Sequence, residues 1–392
     1  MRILVGADVP PDRNAGAAGT VVQTIAALQA LGHCVEAFWA ADIGRRIRHG
    51  NMHYAFELPW RYRALVRRFV QRESYDVVQL SQPHAYLAAR DHRLRGRRGV
   101  FINRSHGVEL RYNAAMAGEN KQHPVSRPSG PRRLMSRVLG RLLEEHWLWA
   151  AKWSDGVIVA SELDREFVLG RFPIAPWRIR TIHHGVPDAF ADAPAPGLDR
   201  DRISRLLYVS QFAACKAPET VAAVANAVLP AHPTASMTWV APAREHPRIR
   251  ALITPAAAAR VSLLDWRPQE ELKALLDEHG IFLFPSRFEG AGKACLEALS
   301  RGLLVVASDN GAMREYIRCG ISGWAFPPGD PAPYVTAVER ALRQPDEAIA
   351  IGRRARETAR SYTWRRCATE AVAYYEELTQ RRDADSTRAP NF

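Results

Sequence analysis

The chain has 392 residues, more than one hydrophobic core usually holds, so two domains are expected. Its composition, 47% hydrophobic and 24% charged, allows a large core and excludes global disorder. No apolar run approaches the roughly 18 residues of a membrane-spanning helix. The formal charge is +13, from 54 basic and 41 acidic side chains.

The cysteines and the N-terminus indicate the cellular compartment. The five cysteines, at 34, 215, 295, 319 and 367, are odd in number and form no Cys-x-x-Cys pair. This pattern favours reduced thiols in the cytoplasm and argues against zinc. The first residues are typical of a buried strand rather than of a signal peptide. We therefore expect a cytoplasmic protein.

Short apolar runs alternate with helical patterns along most of the chain. Strands are predicted at 3–7, 34–40, 76–80, 99–103 and 156–160, with a helix over 20–31. A proline-rich segment, 187–202, interrupts the pattern. It then restarts with strands at 205–209, 236–240, 261–264, 281–284 and 303–307. The alternation predicts two parallel α/β domains, 1–200 and 201–362, whose ligand crevices face each other. Residues 383–392 are expected to form a frayed tail.

Basic residues cluster in the segments 45–48, 61–72, 90–98 and 127–141. In the segment 45–72 the arginines alternate with apolar and aromatic residues, as in a helix that lies on an anionic membrane surface. A solvated charged face is the alternative. Nucleic acid is not expected as a partner, because no recognition motif accompanies the charge.

The segment 285–297 is the most informative part of the sequence. A small-residue turn, Gly290-Ala291-Gly292, links a predicted strand to a predicted helix that begins near Lys293. Free N–H groups at such a helix start bind anions. Glu289 and Glu297, eight residues apart, would repel phosphate and so are expected to face sugar hydroxyls. Two carboxylates could also catalyse glycoside hydrolysis, but eight helical residues advance ~12 Å, more than the ~5–9.5 Å that this reaction requires.

Three further features lie near predicted strand ends. Lys216 follows the strand 205–209 by a short loop and suits a diphosphate. His106 follows the strand 99–103, where it can contact a hydroxyl or a phosphate. Gly16 and Gly19 form a glycine turn before a helix, but without Gly-x-Gly-x-x-Gly, which disfavours NAD.

Taken together, these motifs resemble the retaining GT-B glycosyltransferases of the large family 4 group. The resemblance covers almost the whole chain. It lies in the Glu-x7-Glu segment 284–302, in the downstream segments 305–311, 315–317 and 320–330, and in shorter matches at 31–33, 185–186 and 362–364. It implies two Rossmann-like domains that face each other across a cleft, an acceptor domain at 1–200 and a nucleotide-sugar donor domain at 201–362. It also implies a last helix, 363–380, that crosses back to the first domain.

The resemblance also implies a role for each matched residue. Glu297 would hold the donor's ribose diol, and Glu289 the donor sugar's hydroxyls. Lys216 would bind the diphosphate, and His106 would contact the sugar from the opposite domain, so that Glu289, His106 and Lys216 are the expected catalytic residues. The remaining expected donor-binding positions are Gly290, Ala291, Gly292, Lys293, Ala294, Gln211, Gly16 and Gly19. No metal or cofactor is expected.

Three positions depart from the family pattern. Gln211 stands where an arginine is usual, Lys293 where an apolar residue is usual, and His184 where an asparagine is usual. Loss of a fixed charge at position 211 would weaken diphosphate binding unless Gln211 itself or Lys293 substitutes for it.

The expected function is transfer of a sugar, with retention, from a nucleotide-diphosphate sugar to a lipid-linked or polysaccharide acceptor. Such a step belongs to the biosynthesis of cell-envelope glycans: lipopolysaccharide, capsule or exopolysaccharide. The protein is expected to contact the inner face of the plasma membrane through residues 45–72, and the segment 107–135 is a candidate acceptor or lid loop. The alternatives are a GT-B enzyme with a soluble acceptor, a sugar-nucleotide epimerase, and a non-catalytic nucleotide-sugar-binding protein.

Overall fold

A computed structural model describes residues 1–14, 16–112, 115–116, 131–191 and 193–388, without the side chains of 131–133, 136 and 385–388. The strands are β1 (Arg2–Gly6), β2 (Cys34–Phe38), β3 (Val77–Ser81), β4 (Val100–Arg104), β5 (Gly156–Val159), β6 (Ile179–Thr181), β7 (Arg205–Val209), β8 (Ser236–Val240), β9 (Val261–Leu264), β10 (Ile281–Phe284), β11 (Leu304–Ser308) and β12 (Trp324–Phe326).

The helices of eight or more residues are α1 (Gly16–Ala30), α2 (Leu58–Arg72), α3 (Tyr86–Leu94), α4 (Pro131–Trp153), α5 (Glu162–Arg171), α6 (Pro218–Ala231), α7 (Gln269–Glu278), α8 (Lys293–Ser300), α9 (Ala332–Arg343), α10 (Pro345–Ala359) and α11 (Trp364–Arg388). Shorter helical pieces include a π-helical turn at His53–Glu57 and a 3₁₀ turn at Ala214–Lys216.

The first unit is built from the described residues of Met1–Leu110, His123–His183 and Trp364–Phe392. Its sheet has the order β2-β1-β3-β4-β5-β6, and all neighbours are parallel. Strands β3, β4 and β5 are buried along their whole length. This is the pattern of a parallel sheet with both faces covered.

The last helix, α11, packs in the first unit. It buries a row of apolar and aromatic residues against β1, α1 and β4, including Trp364, Tyr374 and Leu378. Two polar contacts tie it to the sheet: Tyr375 Oη donates to Gln79 Oε1 at 2.6 Å, and buried Arg104 donates to Cys367 Sγ at 3.3 Å. The final stretch of the chain is therefore part of this unit's core.

The second unit is built from the described residues of Arg111–Gln122 and His184–Thr363. Its sheet has the order β12-β11-β10-β7-β8-β9, again with all neighbours parallel. Each unit is therefore a Rossmann-like α/β layer, and the predicted fold class of two such units is confirmed.

Several predicted boundaries were wrong in detail. The strands β6 and β12, of three residues each, were missed. Helix α1 begins at Gly16 rather than after Gly19, so both glycines are helical rather than part of a turn. The expected tail from residue 383 is helical to Arg388, and residues 389–392 lie outside the described residues.

The predicted linker 187–202 belongs to the second unit rather than dividing the units at residue 200. Phe190 is fully buried in that unit's core. Arg301, 1% exposed, donates to the carbonyl oxygens of Phe190, Ala193 and Pro194 at 2.8–2.9 Å. The same guanidinium binds both carboxylate oxygens of Asp277, at 2.7 and 2.9 Å. This one side chain fastens the segment to the unit.

The apolar side of the arginine-rich segment 45–72 packs in the first unit's core. Tyr62, Leu65 and Val66 on α2, apolar residues of the segment predicted to lie on a membrane, are buried, because an amphipathic helix can cover its own sheet with the same apolar face. Trp60 remains 59% exposed and Phe56 48% exposed. Across the described part of the chain, no helix is both long and apolar enough to cross a bilayer.

We predict that Arg301→Ala destabilises the protein by about 2–4 kcal/mol, because three carbonyl groups lose their buried donor and Asp277 keeps Lys273 alone as an ion-pair partner. Urea denaturation measures the change. The matched control is Arg343→Ala, whose side chain is 66% exposed in an ion pair with Glu339 and should change stability by at most about 0.5 kcal/mol. Equal effects of the two substitutions would contradict the assigned role of Arg301.

Candidate functional site

The second unit's candidate site lies at the point where its strand order reverses. Strand β7 is flanked by β8 on one side and by β10 on the other, so the loops that follow β7 and β10 diverge above adjacent strand ends. Open parallel sheets bind ligands at such a switch point, beyond the carboxyl ends of the strands. Residues 210–217 and 285–292 form these two loops.

Lys216 and Glu289 meet at this point. Lys216 Nζ lies 2.5 Å from Glu289 Oε2, and the two side chains are 26% and 16% exposed. Burial disfavours the ammonium, but the charge and the hydrogen bond of Glu289 outweigh it, so the pKa of Lys216 is raised. Lys216 is therefore charged at neutral pH, held beside a carboxylate and still accessible from solvent.

The two loops are fastened to each other by Arg287. Its backbone N–H donates to the Cys215 carbonyl oxygen at 2.8 Å, and its guanidinium donates to Ala214 O at 2.8 Å and to Glu219 Oε2 at 3.1 Å. These bonds fix Glu289 relative to Lys216. Sequence analysis assigned Arg287 no role, because nothing local to it indicates a partner 73 residues away.

A second arginine, Arg111, holds the backbone carbonyl of Glu289. The guanidinium of Arg111 donates to Glu289 O and, at 2.6 Å, to Asn310 Oδ1, and it stacks over the Phe288 ring. Gly311, with φ +57°, passes so close that a Cβ on it would lie 2.4 Å from Glu289 O. The loop that carries Glu289 is thus held from both sides.

Helix α8 begins directly after this loop. Gly292 caps it in the left-handed region, with φ +61°, and a Cβ there would lie 2.4 Å from Met313 Sδ. The first-turn N–H groups, those of Lys293 and Ala294 among them, have no intrahelical partner in an α-helix. With Gly290 and Ala291 in the turn, this arrangement can receive the oxygens of a phosphate or a sugar.

Glu297 lies inside α8, almost entirely buried at 4% exposed. Burial raises its pKa, while the charge of Lys293 and a hydrogen bond from Gln269 oppose the shift. Lys293 Nζ lies 3.6 Å from Glu297 Oε1. Lys293 thus pairs with the glutamate that is expected to hold the ribose. The other departure in this unit, Gln211, is exposed on the loop after β7.

The first unit has its own switch point between β1 and β3, and a cavity of about 210 Å³ opens there. Asp8 lies just after β1, Ser81 is the last residue of β3, and Gln82 follows it. His106 lines the same cavity, and Ser81 Oγ lies 3.2 Å from its Nε2. Burial, with a contribution from Arg104, lowers the pKa of His106 to about 3, so the imidazole is neutral at physiological pH.

The structure separates the predicted residues into two groups. Lys216, Glu289, Lys293 and Glu297 lie in the second unit. His106, Gly16 and Gly19 lie in the first, where Gly16 has open space around its Cβ position and Gly19 is buried. Within the described residues, no three His, Cys, Asp or Glu side chains cluster as metal ligands. Most of the proposed loop 107–135, residues 113–114 and 117–130, lies outside the described residues.

Two Rossmann-like units with ligand sites at their switch points define the class of GT-B proteins. Two family models match in succession: Glycosyltransferase Family 4 over residues 15–190 and Glycosyl transferases group 1 over 203–344. The chain therefore belongs to the family-4-like GT-B glycosyltransferases.

Two relatives named as glycosyltransferases are similar to parts of this chain. The amylovoran biosynthesis glycosyltransferase AmsK of Erwinia amylovora is 43% identical over 76 residues, 18% of this chain and 19% of that protein. The D-inositol 3-phosphate glycosyltransferase of Frankia alni is 28% identical over 277 residues, 65% of this chain and 64% of that protein. The chain thus matches less than two thirds of either relative's length.

Two solved structures have the same fold over nearly the whole chain. Sucrose-phosphate synthase from Thermosynechococcus elongatus has a TM-score of 0.71 and 20% identity, covering 96% of this chain and 99% of that one. Anabaena HepE in complex with UDP has a TM-score of 0.68 and 15% identity, covering 96% and 100%. At these identities the likeness shows the fold alone.

The buried histidines His84 and His146 should make the free energy of unfolding depend on pH. His84 Nδ1 lies 3.1 Å from His146 Nδ1, and burial lowers their pKa values to about 3 and about 4. The unfolded chain binds these protons below about pH 6.5, so stability should fall as pH drops from there towards the folded pKa values. His84→Asn should make this decline shallower, by up to about 1.4 kcal/mol per pH unit.

Urea denaturation at a series of pH values between about 7 and 4.5 measures the slope that linkage predicts. The control is His49→Asn, at an exposed position, which should leave the slope unchanged. If His84→Asn and the wild type lose stability equally on acidification, the buried pair is not the cause.

Proposed function

We propose that the protein transfers a sugar from a nucleoside-diphosphate sugar to a hydroxyl acceptor. The observation that carries the proposal is the Lys216–Glu289 pair at the second unit's switch point, next to the N-terminus of α8. A cation and helix N–H groups suit a diphosphate, and a carboxylate beside them suits sugar hydroxyls. The solved complex of the similar protein HepE with UDP supports a nucleotide donor.

In the proposed reaction, the bond between the sugar's C1 and the β-phosphate oxygen breaks, and its electron pair leaves with the nucleoside diphosphate. A bond forms from the acceptor oxygen to C1 on the same face, and the acceptor's proton passes to the departing phosphate oxygen. The configuration at C1 is thus retained. We assign no carboxylate nucleophile.

Charge development explains the residue roles. The leaving diphosphate gains negative charge in the transition state, where Lys216 and the preorganised N–H groups of Gly292, Lys293 and Ala294 would stabilise it. Glu289 orients the sugar hydroxyls and keeps Lys216 in place. Glu297, buried in α8, accepts hydrogen bonds from the ribose diol. We expect no metal ion to be required.

For the acceptor, we propose a lipid-linked or polysaccharide glycan of the cell envelope. The matched segment of a glycosyltransferase of amylovoran biosynthesis supports this choice. Peripheral contact with the inner face of the plasma membrane would use exposed Phe56 in the π-helical turn and exposed Trp60 on α2, since Tyr62, Leu65 and Val66 are buried. The five free thiols of the chain suit the cytoplasm.

We predict that one class among UDP-, GDP-, ADP- and CMP-sugars raises the melting temperature by mass action. With that donor, Lys216→Ala and Glu289→Ala should each lower kcat by about 10²–10³, as loss of a charge-stabilising group does. A purified wild-type protein that responds to none of these donors would contradict the proposal.

The matched control is Lys273→Ala, whose ammonium pairs with Asp277 on α7 at 2.9 Å, away from the two loops. It should keep both the thermal shift and turnover. A wild type that binds a donor but releases no nucleoside diphosphate with any acceptor, and never hydrolyses the donor, would favour the non-catalytic alternative.

Gln211 gives a second prediction. Gln211→Arg adds a fixed cation to the loop that also carries Lys216, at the position where the sequence resemblance implies an arginine. Binding of the matching nucleoside diphosphate should tighten about tenfold, the effect of one added charge-assisted hydrogen bond. Calorimetric titration measures it, with Gln344→Arg at the end of α9 as the control. An unchanged affinity would mean that Lys293 already supplies this charge.

A further inference from the structure

Three arginines of the described chain have side chains that are almost completely buried. Arg104, Arg202 and Arg301 are 2%, 4% and 1% exposed. Arg301 is satisfied by three carbonyl oxygens and by the carboxylate of Asp277. The guanidinium of Arg202 donates to four backbone carbonyls at 2.8–3.2 Å, those of Pro196, Gly197, Leu276 and His279. Both groups therefore have acceptors for their N–H donors, as buried polar groups usually do.

Arg104, the last residue of β4, has no comparable set of partners. Its Nη2 donates to Cys367 Sγ at 3.3 Å, and a thiol is a weak acceptor. Its Nε and Nη1 are buried and have no hydrogen-bond partner among the described residues. No carboxylate in that part of the chain forms an ion pair with it either. Because a guanidinium stays protonated in proteins, a positive charge lies inside the first unit without a counter-charge from the described chain.

The groups on which this charge acts are neutral. Arg104 acts through space on His106 and on Tyr375. Burial lowers the pKa of His106 to about 3, and Arg104 adds to that shift. Burial raises the pKa of Tyr375, and its phenol donates a hydrogen bond to Gln79 Oε1. At neutral pH neither group supplies the negative charge that would balance Arg104.

The first turn of α11 lies beside the guanidinium. Cys367 is the fourth residue of this helix, so its contact with Arg104 places the cation at the helix N-terminus. A helix N-terminus carries a partial positive charge, and the first turn of α11 contains no acidic residue to offset it. Two sources of positive potential thus meet at one place, one on β4 and one on α11. An anion bound between them would stabilise both.

We propose that a single halide ion, chloride in the cell, binds between the guanidinium of Arg104 and the first turn of α11. A monatomic anion fits because the side chain is 2% exposed, which leaves no access for a nucleotide or a sugar phosphate. The site is separate from the cavity of about 210 Å³, whose lining does not include Arg104. The bound ion would join the end of β4 to α11 and so stabilise the first unit. It would do so whether or not the protein transfers a sugar.

Thermal denaturation at constant ionic strength tests the proposal, with sodium gluconate replaced stepwise by sodium bromide or sodium chloride. A ligand that binds only the folded protein stabilises it by mass action, so the melting temperature should rise by about 3 °C for each tenfold increase of halide above its dissociation constant. Arg104→Met removes the charge and keeps an apolar side chain of similar reach, and it should abolish this rise. The matched control, Arg343→Met, changes an arginine that is 66% exposed and should keep the rise.

Bromide and chloride also change protein stability without binding at a site, but this effect acts alike on the wild type and the two variants. The slope of melting temperature against halide concentration is therefore compared among the three proteins. In gluconate, Arg104→Met should be at least as stable as the wild type, because it removes a buried charge that has no counter-ion there. A wild type whose slope equals that of Arg104→Met overturns the proposal.

Crystals of the wild type grown in sodium bromide locate the ion and do not depend on the folding of any variant. Anomalous scattering should show one bromide in hydrogen-bond contact with the guanidinium of Arg104. A water molecule at this place, with no anomalous signal, overturns the proposal. Bromide bound only at exposed arginines such as Arg343 overturns it as well. The response to nucleotide sugars is measured separately, so glycosyl transfer and the halide site can each fail alone.

Discussion

The parallel pairing of β7 with β10 is the constraint on which the candidate donor site depends. Because parallel strands end at one edge of the sheet, the loop after β7 and the loop after β10 start side by side. Lys216 and Glu289, 73 residues apart in the chain, therefore meet at 2.5 Å. Arg287 fixes that meeting by bonding one loop to the carbonyls of the other. The same rule places Asp8 beside Ser81, after β1 and β3.

The charges of the donor site are balanced within the site itself. Each of its two lysines lies beside a glutamate, Lys216 beside Glu289 and Lys293 beside Glu297, so the formal charges of these four groups cancel. A bound diphosphate would have to draw on partly neutralised cations and on the N–H groups of α8. An arginine at position 211 would add one charge without a carboxylate of its own.

The fold was predictable from the sequence where the signal was local and strong. Buried parallel strands such as β7, β8 and β10 are continuous apolar runs, and their bounds were predicted to the residue. Strands β6 and β12 were missed because three residues at a sheet edge give no clear period. The amphipathic pattern of α2 predicts a membrane surface, but such a pattern does not distinguish a bilayer from the protein's own core, against which Tyr62, Leu65 and Val66 pack. The glutamates of the second unit lay in one short segment, whereas Asp8, His53 and Gln82 are brought together by sheet order and a π-helical turn. A polar residue directly after β1 was the one available signal.

Backbone strain independently marks both sites. Among the described residues, the non-glycine residues with positive φ are Gln82 and Ala217. Gln82 follows β3 at the first unit's switch point, and Ala217, with φ 50°, follows Lys216 at the second unit's. A substitution to glycine would relieve either position, so the chain keeps a strained side chain at each site at a cost of about 1–3 kcal/mol. Scaffold stability gains nothing from this. The strain at Ala217 is explained if its loop must hold Lys216 in one geometry for the proposed diphosphate.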